Sequence, residues 1–377
     1  MSRWNFFAIL IVSFFIVLQI QTGKMNTFTQ WQTHVENAVN VPSNSIDKKS
    51  VISKKVEVPK KTEIVKTPDF NLKVVAFGDM MLGRYVRTVM EKNGKDYIFQ
   101  DLNMNTEGPF YGDTDILFAN LEGPIKGEGY RHQTAMVFGF HKDTAEFLKK
   151  YGFNLLSIAN NHSYDQKEAG YLETMTNLQE RGISYCGNAK EASRDTVYFG
   201  EKDGKKFAFV CFCDVIFDTP NEDMINLIKD IDDEVDLLIV SIHWGTEYTN
   251  KPIKKTQVDL GHQFIDAGAD FIIGHHPHVV ESFEIYNGKF IFYSLGNFIF
   301  DQYWSVNTQE QLGIKINFSF NGKKSKAVVQ LFPMKSTNSK PKLMEGDELN
   351  KWIERFIGYG EYDENMKSQI RNLFVEN

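Results

Sequence analysis

The chain has 377 residues, 42% hydrophobic and 24% charged, a globular balance with room for one large domain or two ordinary ones. Its formal net charge of −7 argues against a nucleic-acid partner, and none is expected. Three cysteines with no CxxC pair are too few for a disulfide framework and supply neither a zinc knuckle nor a dithiol redox motif.

Residues 5–20, NFFAILIVSFFIVLQI, carry no charge and follow Arg3 and Trp4. The run is a little short of the ~20 residues of a membrane span, but Trp4 and Gln21-Thr22 extend it into the interface. No small-x-small cleavage site and no lipobox cysteine follow it, which favours an uncleaved signal anchor over a cleaved signal peptide. With Arg3 on the cytoplasmic side, the rest of the chain is expected outside the membrane as the bulk of a single-pass protein. Residues 1–23 are therefore read as the anchor. Residues 24–70, polar, Lys-rich and without glycine, are read as an extracytoplasmic linker.

From residue 72, strand and helix patterns alternate. Strands are expected at 73–79 (KVVAFGD), 115–121 (DILFANL), 154–160 (NLLSIAN), 206–214, 236–243 (DLLIVSIH) and 270–274. Helices are expected at 82–90, 144–151, 166–181 and 255–267, the third ending at Gly182 as a C-terminal cap. This is an α/β order with βαβ units. Cys211 and Cys213 fall on one face of the 206–214 strand and read as packed thiols. After Gly274 the strands crowd together at 279–286, 289–295 and 312–320, with Asn287-Gly288 as a hairpin turn, which predicts a second, more antiparallel sheet. The globular domain is placed at 71–335, followed by a charged, helical extension at 336–377.

Polar clusters stand where the apolar runs end: Gly78-Asp79, Asn120-Leu121-Glu122, Asn160-Asn161-His162, His243-Trp244-Gly245 and His275-His276-Pro277-His278. In an open α/β sheet, strand ends converge at one edge, so ligands distant in sequence meet there. Carboxylate, amide oxygen and imidazole together suit Mn, Zn or Fe better than Ca or Mg. Each cluster also has an ordinary structural account. Asp79 can cap the helix at 82–90, Glu122 can be a turn residue before Gly123-Pro124, and Asn160-Asn161 can be a left-handed turn. Trp244 reads as a packed side chain, and Asn297 and Asp301 as part of the site's rim.

GDMMLGR (78–84), NLEGPI (120–125), SIANNHSYD (157–165), SIHWGTEY (241–248), GHHPHVV (274–280) and SLGNFIFD (294–301) together resemble the CapA (PgsA) family of capsule-synthesis proteins associated with poly-γ-glutamate. The resemblance spans roughly 72–303. It implies a fold related to the calcineurin-like metallophosphoesterases, a four-layer α/β/β/α sandwich with two mixed sheets. It also implies a site of one or two divalent ions held by Asp79, Glu122, Asn161, His243, His276 and His278. His162 would stabilise charge or protonate a leaving oxygen, and Arg84 would clamp an anionic group. Two positions depart from the metallophosphoesterase pattern. Met81 stands where a ligand histidine is usual, and Glu122 replaces a bridging Asp with a longer arm.

The expected function is that of a membrane-anchored, extracytoplasmic CapA-like protein in the synthesis or export of poly-γ-glutamate. Its expected partners are that anionic polymer, membrane synthase subunits and, through the anchor, the membrane. Two alternatives remain at this point: an active metal-dependent phosphoesterase, and a non-catalytic structural partner of a polymer synthase.

Overall fold

In the computed structural model of the protein, the described residues are 70–102, 110, 113–127, 136–217, 219–321 and 324–377. The expected anchor at 1–23 and nearly all of the linker at 24–70 lie outside them. Among the described residues, no helix is long and apolar enough to cross a membrane.

Two mixed sheets make the centre. In the first, the order is β14 (Lys340–Leu343), β13 (Lys324–Thr337), β12 (Glu310–Asn321), β1 (Asn71–Met80), β2 (Ile116–Leu121), β3 (Leu155–Ser157) and β4 (Ser184–Cys186). Two further strands join it, β11 (Asn297–Ile299) beside β1 and β15 (Phe374–Glu376) beside β13. The second runs β5 (Tyr198–Lys202), β6 (Lys205–Cys213), β7 (Leu237–His243), β8 (Phe271–His275), β10 (Lys289–Phe292) and β9 (Phe283–Tyr286).

The apolar runs read as continuous because both faces of each sheet are covered. Along β1, Val74 and Ala76 point into the core between the sheets. Val75 and Phe77 point to the opposite side, towards α1 (Arg84–Asn93), α2 (Asp143–Lys150) and α3 (Lys167–Glu180). Along β6, Phe207, Phe209, Cys211 and Cys213 face the inner core. Ala208, Val210 and Phe212 face α4 (Asn221–Asp232) and α5 (Asp259–Asp266). The result is the α/β/β/α sandwich that the family resemblance implied.

The strands after Gly274 do not form a second sheet of their own. β9 and β10 make the expected hairpin, with Asn287 and Gly288 at φ 48° and 75°, as a primed turn requires. That hairpin extends β8 through the parallel register Phe290↔Phe271, while β12 pairs antiparallel with β1 from Asn71↔Ser319 to Ala76↔Ile314. The second sheet therefore has a parallel centre with an antiparallel strand at each edge, and the first is parallel from β1 to β4 and antiparallel from β12 to β14. Local patterning could not reveal this, because it does not say which strand each edge joins, and β12 lies far from β1 in sequence. Position 336 falls within β13, and β14 and β15 both pair with that strand. Two helices, α6 (Gly346–Ile357) and α7 (Glu364–Arg371), lie in the same segment, and Trp352 and Phe356 of α6 belong to the inner core.

Cys186, at the end of β4 in one sheet, is disulfide-bonded to Cys211 in β6 of the other, with Cα atoms 5.4 Å apart. The reading of packed thiols therefore holds for the buried Cys213 and is corrected for Cys211. The partner was hidden because it lies 25 residues upstream on a different sheet. Closing that loop is expected to stabilise the fold by about 2–4 kcal/mol. In urea titrations, reductant should lower the parent midpoint and leave Cys186→Ala unaffected. Equal midpoints for parent and variant under oxidising conditions would contradict a stabilising bridge.

Candidate functional site

The site forms where the C-terminal ends of β1 and β2 meet those of β7 and β8. Position 78 must be glycine, because a Cβ there would collide with the Gly296 carbonyl oxygen, to which Asp79 donates its N–H at 3.0 Å. Asp79 is fully buried. One carboxylate oxygen accepts from Asn120 Nδ2 at 2.8 Å, and the other accepts from the His276 N–H at 3.1 Å. The expected helix-capping role does not occur: α1 is preceded by Gly83, and no side chain caps it.

The imidazoles gather around this carboxylate. His275 Nδ1 lies 3.5 Å and His278 Nδ1 3.4 Å from Asp79, with His243 Nδ1 at 3.9 Å. Burial alone would raise the Asp79 carboxyl, but the neighbouring His275, His278 and His243 imidazoles outweigh it and hold it well below its usual range. Burial likewise works against His278, yet Glu122 and Asp79 overcome it and raise the imidazole to about 9. His276, buried beside His278, is pushed down to about 3. His243, buried beside His276, also falls well below its ordinary value. The His276 and His278 backbones are left-handed, at φ 98° and 58°, an uncommon state for non-glycine residues and one that clusters at functional sites.

Glu122, just beyond β2, is completely buried, and neither carboxylate oxygen has a hydrogen-bond partner. Its Oε1 lies 3.7 Å from His278 Nε2 and 3.8 Å from His162 Nε2. Burial raises its carboxyl well above the ordinary value; His278 opposes the shift and Asp79 adds to it. Two sets of three ligand atoms, each within 4.8 Å of one another, are spaced to hold a metal ion: Asp79, Glu122 and His243, all buried, and Glu247, His276 and His278.

Amide side chains wire these groups together. Asn161 Oδ1 is 2.9 Å from His243 Nε2, and His243 Nε2 is 3.1 Å from His276 Nδ1. Asn120 Nδ2 also lies 3.2 Å from His243 Nδ1, while Asn160 donates to Asn120 and to the Leu121 carbonyl. Asn297, paired with Asp79 in register, holds His278 Nδ1 at 3.0 Å. His162 stacks on Phe138 at 3.7 Å between centroids, and its Nδ1 lies 2.7 Å from Asp165. The Arg84 guanidinium is ion-paired to Asp301 and packs against Phe138 and Phe300. Trp244 is fully buried and donates to the Tyr293 carbonyl, as a packed tryptophan. Met81 adds no ligand: it is buried in the core beneath the helices, and its Sδ accepts the Gly83 N–H at 3.1 Å.

The structure thus brings Asp79, Glu122, Asn161, His162, His243, His276 and His278 to one place, with Arg84 beside His162. Sequence reasoning placed Asn120 and His275 in the polar clusters without a role and missed Asp165 and Glu247. Asp165 and Glu247 stood within the quoted motifs, but only the fold shows which residues they meet.

The loop after β7 is also held. Gly245, at φ 86°, leaves no room for a Cβ against the Gln257 side chain. Gln257 accepts the Ile253 N–H at 2.8 Å and donates to Glu281 Oε2 at 2.7 Å. Burial pushes the Glu281 carboxyl up to about 8, with Gln257 opposing. The protonated form is thus favoured on folding, so this contribution is full below the ordinary glutamate value and is lost as pH rises through about 8. Glu281→Gln should match the parent in urea midpoint at pH 5. At pH 9 it should exceed the parent by on the order of 3 kcal/mol. A constant difference across that range would refute the assignment.

Comparison with known proteins gives a consistent picture. Residues 73–302 match the family described as bacterial capsule synthesis protein PGA_cap. The chain is 31% identical to a capsule biosynthesis protein CapA of Bacillus anthracis, over 72% of this chain and 69% of that one. It is 32% identical to the PGA biosynthesis protein CapA of Bacillus subtilis (strain 168), over 71% of this chain and 72% of the other. A probable polyglutamine synthesis accessory protein of Mycobacterium tuberculosis is 27% identical over 52% of this chain and 58% of its own length.

Proposed function

Since this chain belongs to the bacterial capsule synthesis (PGA_cap) family, we propose that it acts outside the cytoplasmic membrane, held by its N-terminal apolar segment. There it would serve in the synthesis or export of poly-γ-glutamate or a similar anionic polymer, alongside membrane synthase subunits. The sheet-to-sheet disulfide supports an oxidising compartment. The apolar run at 5–20, with Arg3 before it, supports the anchored orientation.

The site is read as a divalent-metal site, and one observation carries that reading: the buried, unpartnered carboxylate of Glu122. A buried acceptor without a donor costs about 1–3 kcal/mol, and more when charged. A cation facing Asp79, Glu122 and the histidines removes that cost. Asp79, Glu122 and His243 would hold one ion with Asn161, and His276 and His278 would serve a second, a mixed N/O set suited to Mn, Zn or Fe. Such an ion supplies Lewis acidity towards a carboxylate or phosphoryl oxygen. The chain's own residues supply the rest. Arg84, oriented by Asp301, offers a guanidinium for an anionic group of the substrate. His162, oriented by Asp165, can hold or deliver a proton at Nε2, the nitrogen that faces Glu122.

The His162–Asp165 pair also favours a second reading, hydrolysis of a phosphoester. Met81 opposes it by withdrawing a ligand. If hydrolysis is the function, His162→Ala abolishes turnover of a phosphodiester probe by the purified protein. If polymer handling without hydrolysis is the function, the parent has no such turnover and His162→Ala lowers polymer export in cells.

In chelator, Glu122→Gln should be more stable than the parent by about 1–3 kcal/mol, since the parent must take up a proton to bury that carboxyl. With metal restored, the order should reverse as the variant fails to retain stoichiometric ion by elemental analysis. A parent with no bound metal and no metal-dependent stability would sink the metal reading. Protease added to intact cells should digest the domain, and complete protection would refute the outward orientation.

A further inference from the structure

The loop after β7 brings a further carboxylate, Glu247, to the His276-Pro277-His278 side of the site. Glu247 Oε1 lies 3.9 Å from His278 Nε2. Ligand atoms of Glu247, His276 and His278 all fall within 4.8 Å of one another. The same His278 Nε2 is 3.7 Å from Glu122 Oε1, whose carboxylate is wholly buried and unpartnered. Two carboxylates, one just after β2 and one in the loop after β7, thus converge on one imidazole nitrogen. The inner set, Asp79, Glu122 and His243, is sealed, whereas the Glu247 side chain is 41% exposed.

Glu247 does not hang on a loose arm. Next to it Tyr248, left-handed at φ 67°, donates its N–H to the Pro277 carbonyl at 2.8 Å, which fastens the loop to the His276-Pro277-His278 segment. Asn250 Nδ2 donates to the Val280 carbonyl at 2.9 Å, and Gln257 and Glu281 hold the loop from the other side. An exposed glutamate acting only as a counter-charge to His278 would need no such fastening.

We propose that Glu247 is a metal ligand, which with His276 and His278 forms an outer cation position at the mouth of the site. A carboxylate with two imidazoles suits Mn, Zn or Fe. The outer position opens to solvent, so an ion or a substrate oxygen would meet it first, while the inner set stays enclosed. This inference rests on the metal reading of the site given above.

The test is Mn(II) binding to the full-length chain in detergent, followed by calorimetry and by electron paramagnetic resonance of the free ion. The parent is expected to take two ions. Glu247→Gln should keep one at parental affinity and weaken the other by about 10- to 100-fold, the range seen even for outer-shell partners. Glu247→Lys places a tethered ammonium in the outer position and should abolish that ion alone, with the unfolding midpoint in chelator unchanged or raised. His243→Ala should instead lose the inner ion. Both ions retained at parental affinity in Glu247→Gln would overturn the proposal and leave Glu247 a counter-charge. A parent that binds no Mn(II) would overturn the metal reading itself, and this proposal with it.

Discussion

The Asp79 carboxylate is the joint on which the site depends. It sits at the end of β1 with no access to water, yet it accepts from Asn120 in its own sheet and from the His276 backbone in the loop of the other sheet. A buried carboxylate is tolerated only when donors surround it. Here the donors come from both halves of the sandwich, so satisfying one charge also fixes the relation of the two sheets at their shared edge. The glycine before it, the close approach to Gly296 and the β11 pairing follow from the same requirement.

Glu122 lies a few ångströms away and is treated in the opposite manner. Asp79 has a donor on each oxygen and is held well below the usual carboxylate range, while Glu122 has no donor at all and is driven towards protonation by its burial. Two left-handed histidines beside it add backbone cost. Costs of this kind, gathered at one sheet edge, support the reading of a cation site. Binding a cation would release the Glu122 proton and let both carboxylates ionise together. Arg84 and His162 lie beside that charge and share Phe138 as a packing surface. An anionic group drawn to the cation would meet both.

Much of this was legible in the sequence. Asp79, Glu122, Asn161, His243 and His276 each close an apolar run, and parallel strands must deliver such residues to one edge. The hairpin turn at Asn287-Gly288 announced itself by residue type alone. What escaped were relations between distant segments. Nothing local to Cys186 points to Cys211 across the sandwich, and nothing in the hairpin residues says that they extend β8 while β12 joins β1. Asn120 and Asn160 stood in the polar clusters without a stated role in the site, and their amides are the wiring between Asp79, His243 and the β2 backbone. Arg84 was expected as a clamp for anions, and its orientation by Asp301 required β11 to lie beside β1.

Anomalous X-ray scattering from crystals of the protein grown with Mn(II) would test the central claim most directly. The account predicts a peak within coordination distance of both Glu122 and a site histidine, and Glu122 oxygens that no longer lack a partner. A map without a peak there, with Glu122 protonated and hydrogen-bonded only to water, would contradict it.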